Sequence, residues 1–327
     1  MRSESRPIIP RRSAGARIRR VLLGAGFIYF AVVVMLALFQ RSLIYFPVRQ
    51  QRIEPEWQPY FEPGQAHTVT LTADDGVVLH GWRVLPTTRS KSDESKSSDD
   101  VTTDAEARAR LRESGLVVLY FSGNAGNREY RGPICRTLAQ MNCHVLLFDY
   151  RGYGDNEGQP SEELLAADAR QVWRYATETC GVAPERIVLY GESLGGGVAV
   201  RLAAEVEQEG AAPGGMILQS TFSSLVDAAS HHFPWAPVGW ALVDRYPSRD
   251  RIGSVHCAYL HLHGARDTIV PLALGRALFE AAPAASARGI PKQFIELAGA
   301  DHNDVFDVAY QPAVAAIREF LKRLAGE

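Results

Sequence analysis

Short apolar runs alternate with longer segments of helical periodicity from residue 115 to the C-terminus. Each run is five to eight residues long and mostly apolar, which predicts strands buried on both faces. The six runs are 115–121, 143–150, 186–190, 215–220, 257–264 and 293–297. The segments between and after them predict helices, including those at about 128–141, 161–180 and 304–324.

Two earlier segments, 67–72 and 77–85, have the alternating pattern of a half-buried strand. Asp75-Gly76 lies between them, and an Asp-Gly pair between two such segments predicts a β-hairpin. A hairpin followed by alternating strands and helices predicts an α/β protein. Its sheet should be mainly parallel and doubly wound, with an antiparallel start.

The N-terminus has a different pattern. Residues 21–39 contain no charged side chain, and as a helix they would span roughly 28 Å, close to the apolar thickness of a bilayer. Arginines are concentrated in residues 1–20, which predicts a cytoplasmic basic tail, a transmembrane helix and an extracytoplasmic (periplasmic or lumenal) domain at 40–327. A cleaved signal peptide is the alternative, but the apolar run is long and no clear A-x-A site follows it.

Charge is unevenly distributed along the 327 residues. Residues 1–20 carry a net charge of +6, whereas the whole chain carries −2, so the remainder carries −8 and is not expected to bind nucleic acid. Residues 87–114 are polar and almost free of large apolar side chains, which predicts a solvated insertion that is disordered at least in its first half.

Four cysteines are widely spaced and include no CxxC pair, so the sequence does not favour a zinc site. They are expected to be buried as small apolar residues. In an oxidising compartment, Cys135 and Cys143 would be the first pair expected to form a disulfide. The sequence implies no metal or organic cofactor.

The stretch Tyr190–Gly197 contains the candidate nucleophile. Gly191-x-Ser193-x-Gly195 stands between an apolar strand and an Ala/Val-rich helix, where a sharp turn would raise Ser193 above the sheet. Glycines suit such a turn because the strand and helix approach too closely for a Cβ. A serine needs a base to accept its proton, and the base needs a carboxylate to hold its tautomer.

Candidates for both groups follow in the chain order that elbow-type serine hydrolases use. Asp267 comes after the 257–264 strand, and His302 comes after the last strand. Asp227 is a rival carboxylate, and Asp301 is expected to point elsewhere. His261 and His263 alternate on one strand face, which would also fit a metal pair, but no third ligand is nearby in sequence.

The developing oxyanion needs two backbone N–H donors. Leu194 follows the nucleophile at a helix N-terminus and is the first candidate. Asn124 is the second, in the loop after the first parallel strand, with Ala125 as its alternative. Residues 221–252 are expected to form a short helical lid whose aromatic side chains either line an apolar acyl pocket or pack the lid onto the body.

Taken together, these motifs resemble the membrane-anchored branch of the α/β-hydrolase serine hydrolases, a branch similar to prolyl oligopeptidases and serine aminopeptidases. The resemblance covers roughly residues 40–325 and rests on six segments: 40–47, 121–127, 148–162, 190–197, 263–271 and 299–304. It implies a Ser193–His302–Asp267 triad with Leu194 and Asn124 as oxyanion donors. The family usually has His-Gly-Asn where this chain has Ser122-Gly123-Asn124.

The expected function is a membrane-anchored serine hydrolase that cleaves an acyl ester, thioester or lipid-like substrate through an acyl-enzyme. Two alternatives stay open. One is a peptidase-like amide hydrolase, and the other is a catalytically inactive membrane-tethered binding protein. Fold-level analogy does not choose among the substrates.

Overall fold

A computed structural model of the protein describes residues 14–87, 104–113 and 115–326. The strands are β1 (Phe46–Pro47), β2 (Ala66–Thr72), β3 (Val78–Val84), β4 (Leu116–Phe121), β5 (Ala125–Gly126), β6 (Cys143–Phe148), β7 (Ile187–Glu192), β8 (Gly215–Gln219), β9 (Ala258–Gly264) and β10 (Gln293–Leu297). The helices are α1 (Ala14–Leu38), α2 (Gln40–Ile44), α3 (Asp104–Glu113), α4 (Gly132–Ala139), α5 (Glu162–Arg174), α6 (Leu194–Gln208), α7 (Leu225–His232), α8 (Val238–Ala241), α9 (Ser248–Ile252), α10 (Leu272–Ala281), α11 (Val305–Val308) and α12 (Tyr310–Ala325).

Eight of the strands form one sheet in the order β2-β3-β6-β4-β7-β8-β9-β10. The β2–β3 and β3–β6 pairs are antiparallel, and every later pair is parallel. The predicted α/β class, with its parallel sheet and antiparallel hairpin, is therefore confirmed. The carboxyl ends of β4, β7 and β9 lie at one edge of the sheet, which is where ligand sites form in such folds.

Both faces of the sheet are buried, which is why its strands read as continuous apolar runs. Leu119 and Leu189 pair across β4 and β7 and pack into one hydrophobic cluster. Their neighbours Val118 and Val188 pack into a second cluster on the opposite face. Successive side chains of a strand point to opposite faces, so each strand contributes to two cores.

Two predicted helices are interrupted, and proline accounts for both cases. The segment predicted at 128–141 begins with a 3₁₀-helix, Arg128–Arg131, before α4 starts at Gly132, next to Pro133. The C-terminal segment divides into α11 and α12, and Pro312 stands in the first turn of α12. Proline lacks an N–H and its ring clashes with the carbonyl four residues earlier, so a helix starts near it more readily than it continues through it.

The polar insertion is described only in its second half. There α3 covers residues 104–113. Residues 88–103, which include most of the half for which disorder was predicted, lie outside the described residues, as does residue 114. All four cysteines are buried and free, so the expectation of a Cys135–Cys143 disulfide is wrong. Cys135 lies in α4 and Cys143 starts β6, and both belong to the hydrophobic cluster that contains Val118 and Val188.

The N-terminal helix α1 includes most of the predicted 21–39 segment, and its 17–38 part is long and apolar enough to cross a membrane. The first thirteen residues of the predicted basic tail lie outside the described residues. After α2, the two-residue strand β1 pairs in parallel with β5, beside the end of β4. The chain that leaves α1 therefore reaches the same edge of the sheet as the candidate nucleophile.

Candidate active site

Ser193 occupies a strained turn between β7 and α6. Its φ of 51° and ψ of −114° lie where non-glycine residues are rare. A Cβ on Gly195 would lie 2.1 Å from the carbonyl oxygen of Phe121, and a Cβ on Gly191 would lie 2.6 Å from that of Gly195. Both neighbours are backbone atoms that cannot move aside, so this turn requires glycine on each side of the serine.

Two hydrogen bonds hold the serine backbone in that conformation. The Ser193 N–H donates to the carbonyl of Gln219 at 2.8 Å, and the Thr221 hydroxyl donates to the carbonyl of Ser193 at 2.6 Å. Gln219 ends β8 and Thr221 follows it, so the strand next to β7 supports the turn. The strain is thus offset by contacts with the rest of the sheet.

The three residues predicted to act together do meet in the structure. The Ser193 Oγ lies 2.9 Å from His302 Nε2, and His302 Nδ1 lies 2.8 Å from Asp267 Oδ2. All three are buried. Because a carboxylate only accepts hydrogen bonds, Nδ1 carries the proton, and Nε2 is free to accept the proton of the serine hydroxyl.

Asp267 is held from several directions. Its Oδ1 accepts hydrogen bonds from the N–H groups of Ile269 and Val270, at 3.0 and 2.7 Å. Oδ2 faces His302 and lies 3.4 Å from His263 Nε2. The carboxylate therefore has little freedom to rotate away from the imidazole.

The rival carboxylates have other partners. Asp227 lies in the lid helix α7, where its Oδ2 accepts from the Ser223 hydroxyl at 2.6 Å. Asp301 points away from the imidazole of His302, as expected, and accepts from the backbone N–H groups of Thr268 and His302, at 2.7 Å each. Asp301 thus joins the two loops that carry Asp267 and His302.

His261 and His263 form a buried hydrogen-bonded chain beside Asp267. The Tyr259 hydroxyl lies 2.6 Å from His261 Nδ1, His261 Nε2 lies 3.1 Å from His263 Nδ1, and His263 Nε2 lies 2.9 Å from the carbonyl of Val270. Burial lowers the pKa of both histidines, and a nearby imidazole lowers each pKa further: that of His263 for His261, and that of His302 for His263. The described residues contain no group of three or more His, Cys, Asp or Glu arranged for a metal ion.

Both proposed oxyanion donors border the same cavity as Ser193. Leu194 is the first residue of α6, so its N–H has no acceptor within its own helix. The Asn124 side-chain amide donates to the backbone carbonyl of Ile44 at 2.7 Å, and the backbone carbonyl of Asn124 accepts from the N–H of Phe46 at 2.8 Å. The segment that leaves α1 thus ties down the loop of the second donor.

A charged cluster below the elbow was not recognised in the sequence. The guanidinium of Arg131 donates two hydrogen bonds to Glu192, at 2.8 and 3.0 Å, and a third to the carbonyl of Ala125. Burial acts to raise the pKa of Glu192, but Arg131 outweighs it and, with the Tyr120 hydroxyl, holds that pKa below its usual value. The pair connects the elbow to the Asn124 loop. Its partners are 61 residues apart, so no local pattern could reveal it.

A cavity of about 330 Å³ opens above Ser193. Most of its lining is apolar and comes from three places: the end of α1 with α2, the lid, and the loop after Asp267. The lining residues are Val33, Leu36, Ala37, Gln40, Leu43, Ile44, Phe46, Asn124, Ser193, Leu194, Phe222, Leu225, Ala228, Ala229, His232, Phe233, Ala236, Pro237, Val238, Ala241, Leu242, Ile269 and Val270.

The lid aromatics divide between the two roles that the sequence left open. Phe222 and Phe233 line the cavity, and Tyr246 is buried against Gly197 of α6. Trp235 and Trp240 are instead exposed, the latter at 87% of its surface. The contribution of α1 to the cavity was not predicted, because nothing in an apolar 19-residue run indicates which of its faces meets the domain.

Comparison with known proteins identifies the family. The family model described as serine aminopeptidase S33 matches residues 112–249. An uncharacterised protein of Mycobacterium tuberculosis is 36% identical over 88% of this chain and 88% of its own length. The lysophosphatidylserine lipase ABHD12 of Danio rerio is 30% identical over 85% of this chain and 76% of the lipase. The chain belongs to the α/β-hydrolase superfamily. This membership places it among hydrolases.

Solved structures agree with this α/β-hydrolase fold. An esterase of Pyrococcus furiosus superposes with a TM-score of 0.57 at 19% identity, over 86% of this chain and 98% of the esterase. The α/β-hydrolase GrgF of a Penicillium species superposes with a TM-score of 0.58 at 17% identity, over 80% of this chain and 99% of that one. At these identities the likeness concerns the fold alone.

Proposed function

We propose that the protein is a membrane-anchored serine hydrolase that cleaves an acyl ester of a lipid-like substrate. The observation that carries the proposal is the hydrogen-bonded series from Ser193 through His302 to Asp267 at the floor of an apolar cavity. The relatives named as lysophosphatidylserine lipases support the substrate class.

In the proposed mechanism the Ser193 oxygen attacks the acyl carbonyl carbon while His302 Nε2 takes the hydroxyl proton. The carbonyl oxygen becomes an oxyanion, and the N–H groups of Leu194 and Asn124 donate to it. His302 then returns its proton to the leaving alcohol as the C–O bond breaks, which leaves an acyl-enzyme. His302 then takes a proton from a water molecule, whose oxygen attacks the carbonyl carbon of that ester. As the bond to the Ser193 oxygen breaks, His302 donates the proton to that oxygen, and the acid is released.

Asp267 acts through His302 in this scheme. Its carboxylate stabilises the imidazolium that forms when His302 holds two protons, and it keeps Nε2 directed at Ser193. The backbone N–H groups of Ile269 and Val270 hold the carboxylate in place. Thioesters would follow the same steps, with a thiol as the leaving group.

The cavity lining favours an acyl chain over the substrate of an aminopeptidase. A free amino terminus is a cation, and a site that binds it needs a carboxylate or a similar partner. Among the described residues that line the cavity there is no Asp or Glu, and the polar members other than Ser193 are Gln40, Asn124 and His232. Burial of each further methylene contributes about 0.8 kcal/mol, or about fourfold in kcat/KM, until the cavity is full.

The test is hydrolysis of p-nitrophenyl esters of graded chain length by the detergent-solubilised full chain, with an aminoacyl p-nitroanilide alongside. We expect turnover that rises with chain length, is abolished by Ser193→Ala and is unchanged by Ser254→Ala, a control on the surface. Faster cleavage of the anilide would favour the peptidase alternative. Full activity of Ser193→Ala would refute the mechanism. Failure of a fluorophosphonate to label Ser193 would favour the inactive binding protein.

The proposed topology puts the N-terminal arginines in the cytoplasm and the hydrolase domain on the other side of the membrane. All four native cysteines are buried, so a single added cysteine reports on its own exposure. A Ser254→Cys variant should react with a membrane-impermeant thiol reagent in intact cells, after outer-membrane permeabilisation if the cells have one. Reaction only after lysis would reverse the topology.

A further inference from the structure

We propose that the last two turns of α1 form a wall of the acyl-binding site, and that the acyl chain enters from the lipid leaflet between α1 and the lid. This inference rests on the proposed function. It gives α1 a second role, in substrate selection, besides that of a membrane anchor.

One face of α1 meets the cavity. Val33, Leu36 and Ala37 of α1, together with Gln40 at the start of α2, recur at helical spacing and line the space above Ser193. The residues between them, including Val34, Met35 and Leu38, are exposed on the opposite face. The helix therefore has one side toward the substrate site and one side toward its surroundings, although both sides are apolar.

Polar contacts of α2, which follows α1 almost directly, hold the end of α1 against the lid. The Gln40 side chain donates to the carbonyl of Ala241 at 3.3 Å and accepts from the N–H of Val243 at 2.7 Å. Arg41 forms two hydrogen bonds with Asp244, at 3.0 and 3.3 Å. Through α2, these contacts hold the cavity face of α1 beside α8 and the residues that follow it.

A further contact with the lid lies closer to the N-terminus of α1. The Tyr29 hydroxyl donates to the carbonyl of Trp235 at 3.0 Å, and the two rings lie 6.3 Å apart. Tyr29 precedes Leu38, the last residue of the candidate span, by nine residues, which is about 13 Å along a helix. If α1 crosses a bilayer, the tip of the lid lies within the same leaflet.

The exposed surface of the lid fits that position. Phe233, Trp235, Trp240 and Val243 are between 42% and 87% exposed, and Trp235 contacts Tyr29 of α1. An apolar surface continuous with a membrane helix is suited to the interface between lipid head groups and acyl chains, where Trp is favoured. The cavity between α1 and the lid would then open into the leaflet, so an acyl chain could reach Ser193 without crossing water.

The wall is tested with matched tryptophan substitutions on the two faces of α1. Leu36→Trp projects into the cavity, and Met35→Trp, one residue away, projects outward. We expect Leu36→Trp to lower kcat/KM for dodecanoyl and longer p-nitrophenyl esters by at least tenfold while acetyl ester hydrolysis changes by less than threefold. Met35→Trp should leave both substrates at the wild-type rate. Equal effects of the two substitutions, or an equal loss on short and long esters, would overturn the wall.

Ala37→Leu is a smaller intrusion and guards against a folding defect in Leu36→Trp. It should move the preferred chain length downward while a small fluorophosphonate still labels Ser193 at the wild-type rate. An unchanged chain-length profile in a fully labelled variant would contradict the inference and leave the proposed esterase function standing. Loss of the proposed function itself would appear as activity that survives Ser193→Ala.

The position of the lid is tested without catalysis. The full chain is reconstituted in phosphatidylcholine vesicles with brominated acyl chains, which quench nearby tryptophans. Trp57, Trp82 and Trp173 lie outside α1 and the lid, so most of the quenching should disappear in the Trp235→Phe/Trp240→Phe variant. Quenching that is absent, or that the double substitution does not reduce, would show that the lid lies outside the leaflet and would overturn lateral entry.

Discussion

The floor of the cavity at Ser193 and its roof, formed by α1 and the lid, are held in different ways. At the floor, a Cβ added to Gly195 would lie 2.1 Å from a backbone oxygen of β4. In the roof, a Cβ added to Gly239 of α8 would meet only a side-chain methyl of Val226, at 3.9 Å. Backbone packing determines the geometry of the floor, where the proposed chemistry would depend on distances of a few tenths of an ångström. Apolar side chains form most of the roof, where the proposed substrate would enter.

The largest expected difference between floor and roof is in kcat, after substitution of one carboxylate in each region. Asp267→Asn should lower kcat by roughly 10,000-fold because an amide can donate to His302 Nδ1 and favour the wrong tautomer. Asp227→Asn, in the roof, should stay near the wild-type rate. Both are measured with a short soluble ester. A larger loss in Asp227→Asn than in Asp267→Asn would contradict the assignment.

Glycine substitutions compare the two regions by stability. Gly195→Ala should lower the free energy of unfolding by about 3 kcal/mol or more, since overpacking here meets backbone rather than a flexible side chain. Gly239→Ala should leave the stability unchanged or slightly higher, because alanine favours helix. Chemical denaturation in detergent measures both. Similar stabilities for the two variants would contradict the view that the floor is packed more tightly than the roof.

The stability of the sheet should depend on pH through His144 of β6, whereas no such dependence is expected from the lid. Burial, with nearby arginines, lowers the pKa of His144 to about 4, and neither of its ring nitrogens has a hydrogen-bond partner among the described residues. The unfolded chain binds this proton near its usual pKa of about 6.5, so stability falls as the pH decreases from 6.5 to 4, by about 3 kcal/mol from this group.

His144→Phe should remove that component, so its stability should depend less on pH than that of the wild type between pH 6.5 and 4. Denaturation curves at several pH values measure the difference. A His232→Phe control, in the lid, should keep the wild-type slope. Parallel slopes for His144→Phe and the wild type would mean that His144 is not kept neutral by the fold.

The contacts that fasten the roof should have the smallest effects. The buried Tyr45 hydroxyl donates to Asp244 at 3.0 Å, so Tyr45→Phe should cost about 1 to 2 kcal/mol. Tyr29→Phe removes an exposed hydrogen bond and should cost less than about 0.5 kcal/mol in detergent. Thermal unfolding compares them. A larger loss of stability in Tyr29→Phe than in Tyr45→Phe would mean that the contact between Tyr29 and Trp235 is the stronger of the two.

Local patterns predicted most of the fold. The apolar runs gave the sheet its strands to within two residues, as at 143–150 for Cys143–Phe148, because strands buried on both faces must be continuously apolar. The helix ends were less accurate at Pro133 and Pro312, where the apolar period continues although the hydrogen-bond ladder does not. The disulfide expectation failed because sequence proximity does not bring the Cys135 and Cys143 thiols together.

The sequence by itself determined the sharp turn between β7 and α6. Gly191, Ser193 and Gly195 lie close together in the chain, and the backbone conformation of the turn depends on these residues. Tertiary structure decided which carboxylate meets His302, because Asp267 and Asp227 both follow strands and only strand order separates them. It also decided that α1 faces the cavity and that Arg131 pairs with Glu192. Such contacts join residues far apart in the chain, and the packing of whole elements brings them together.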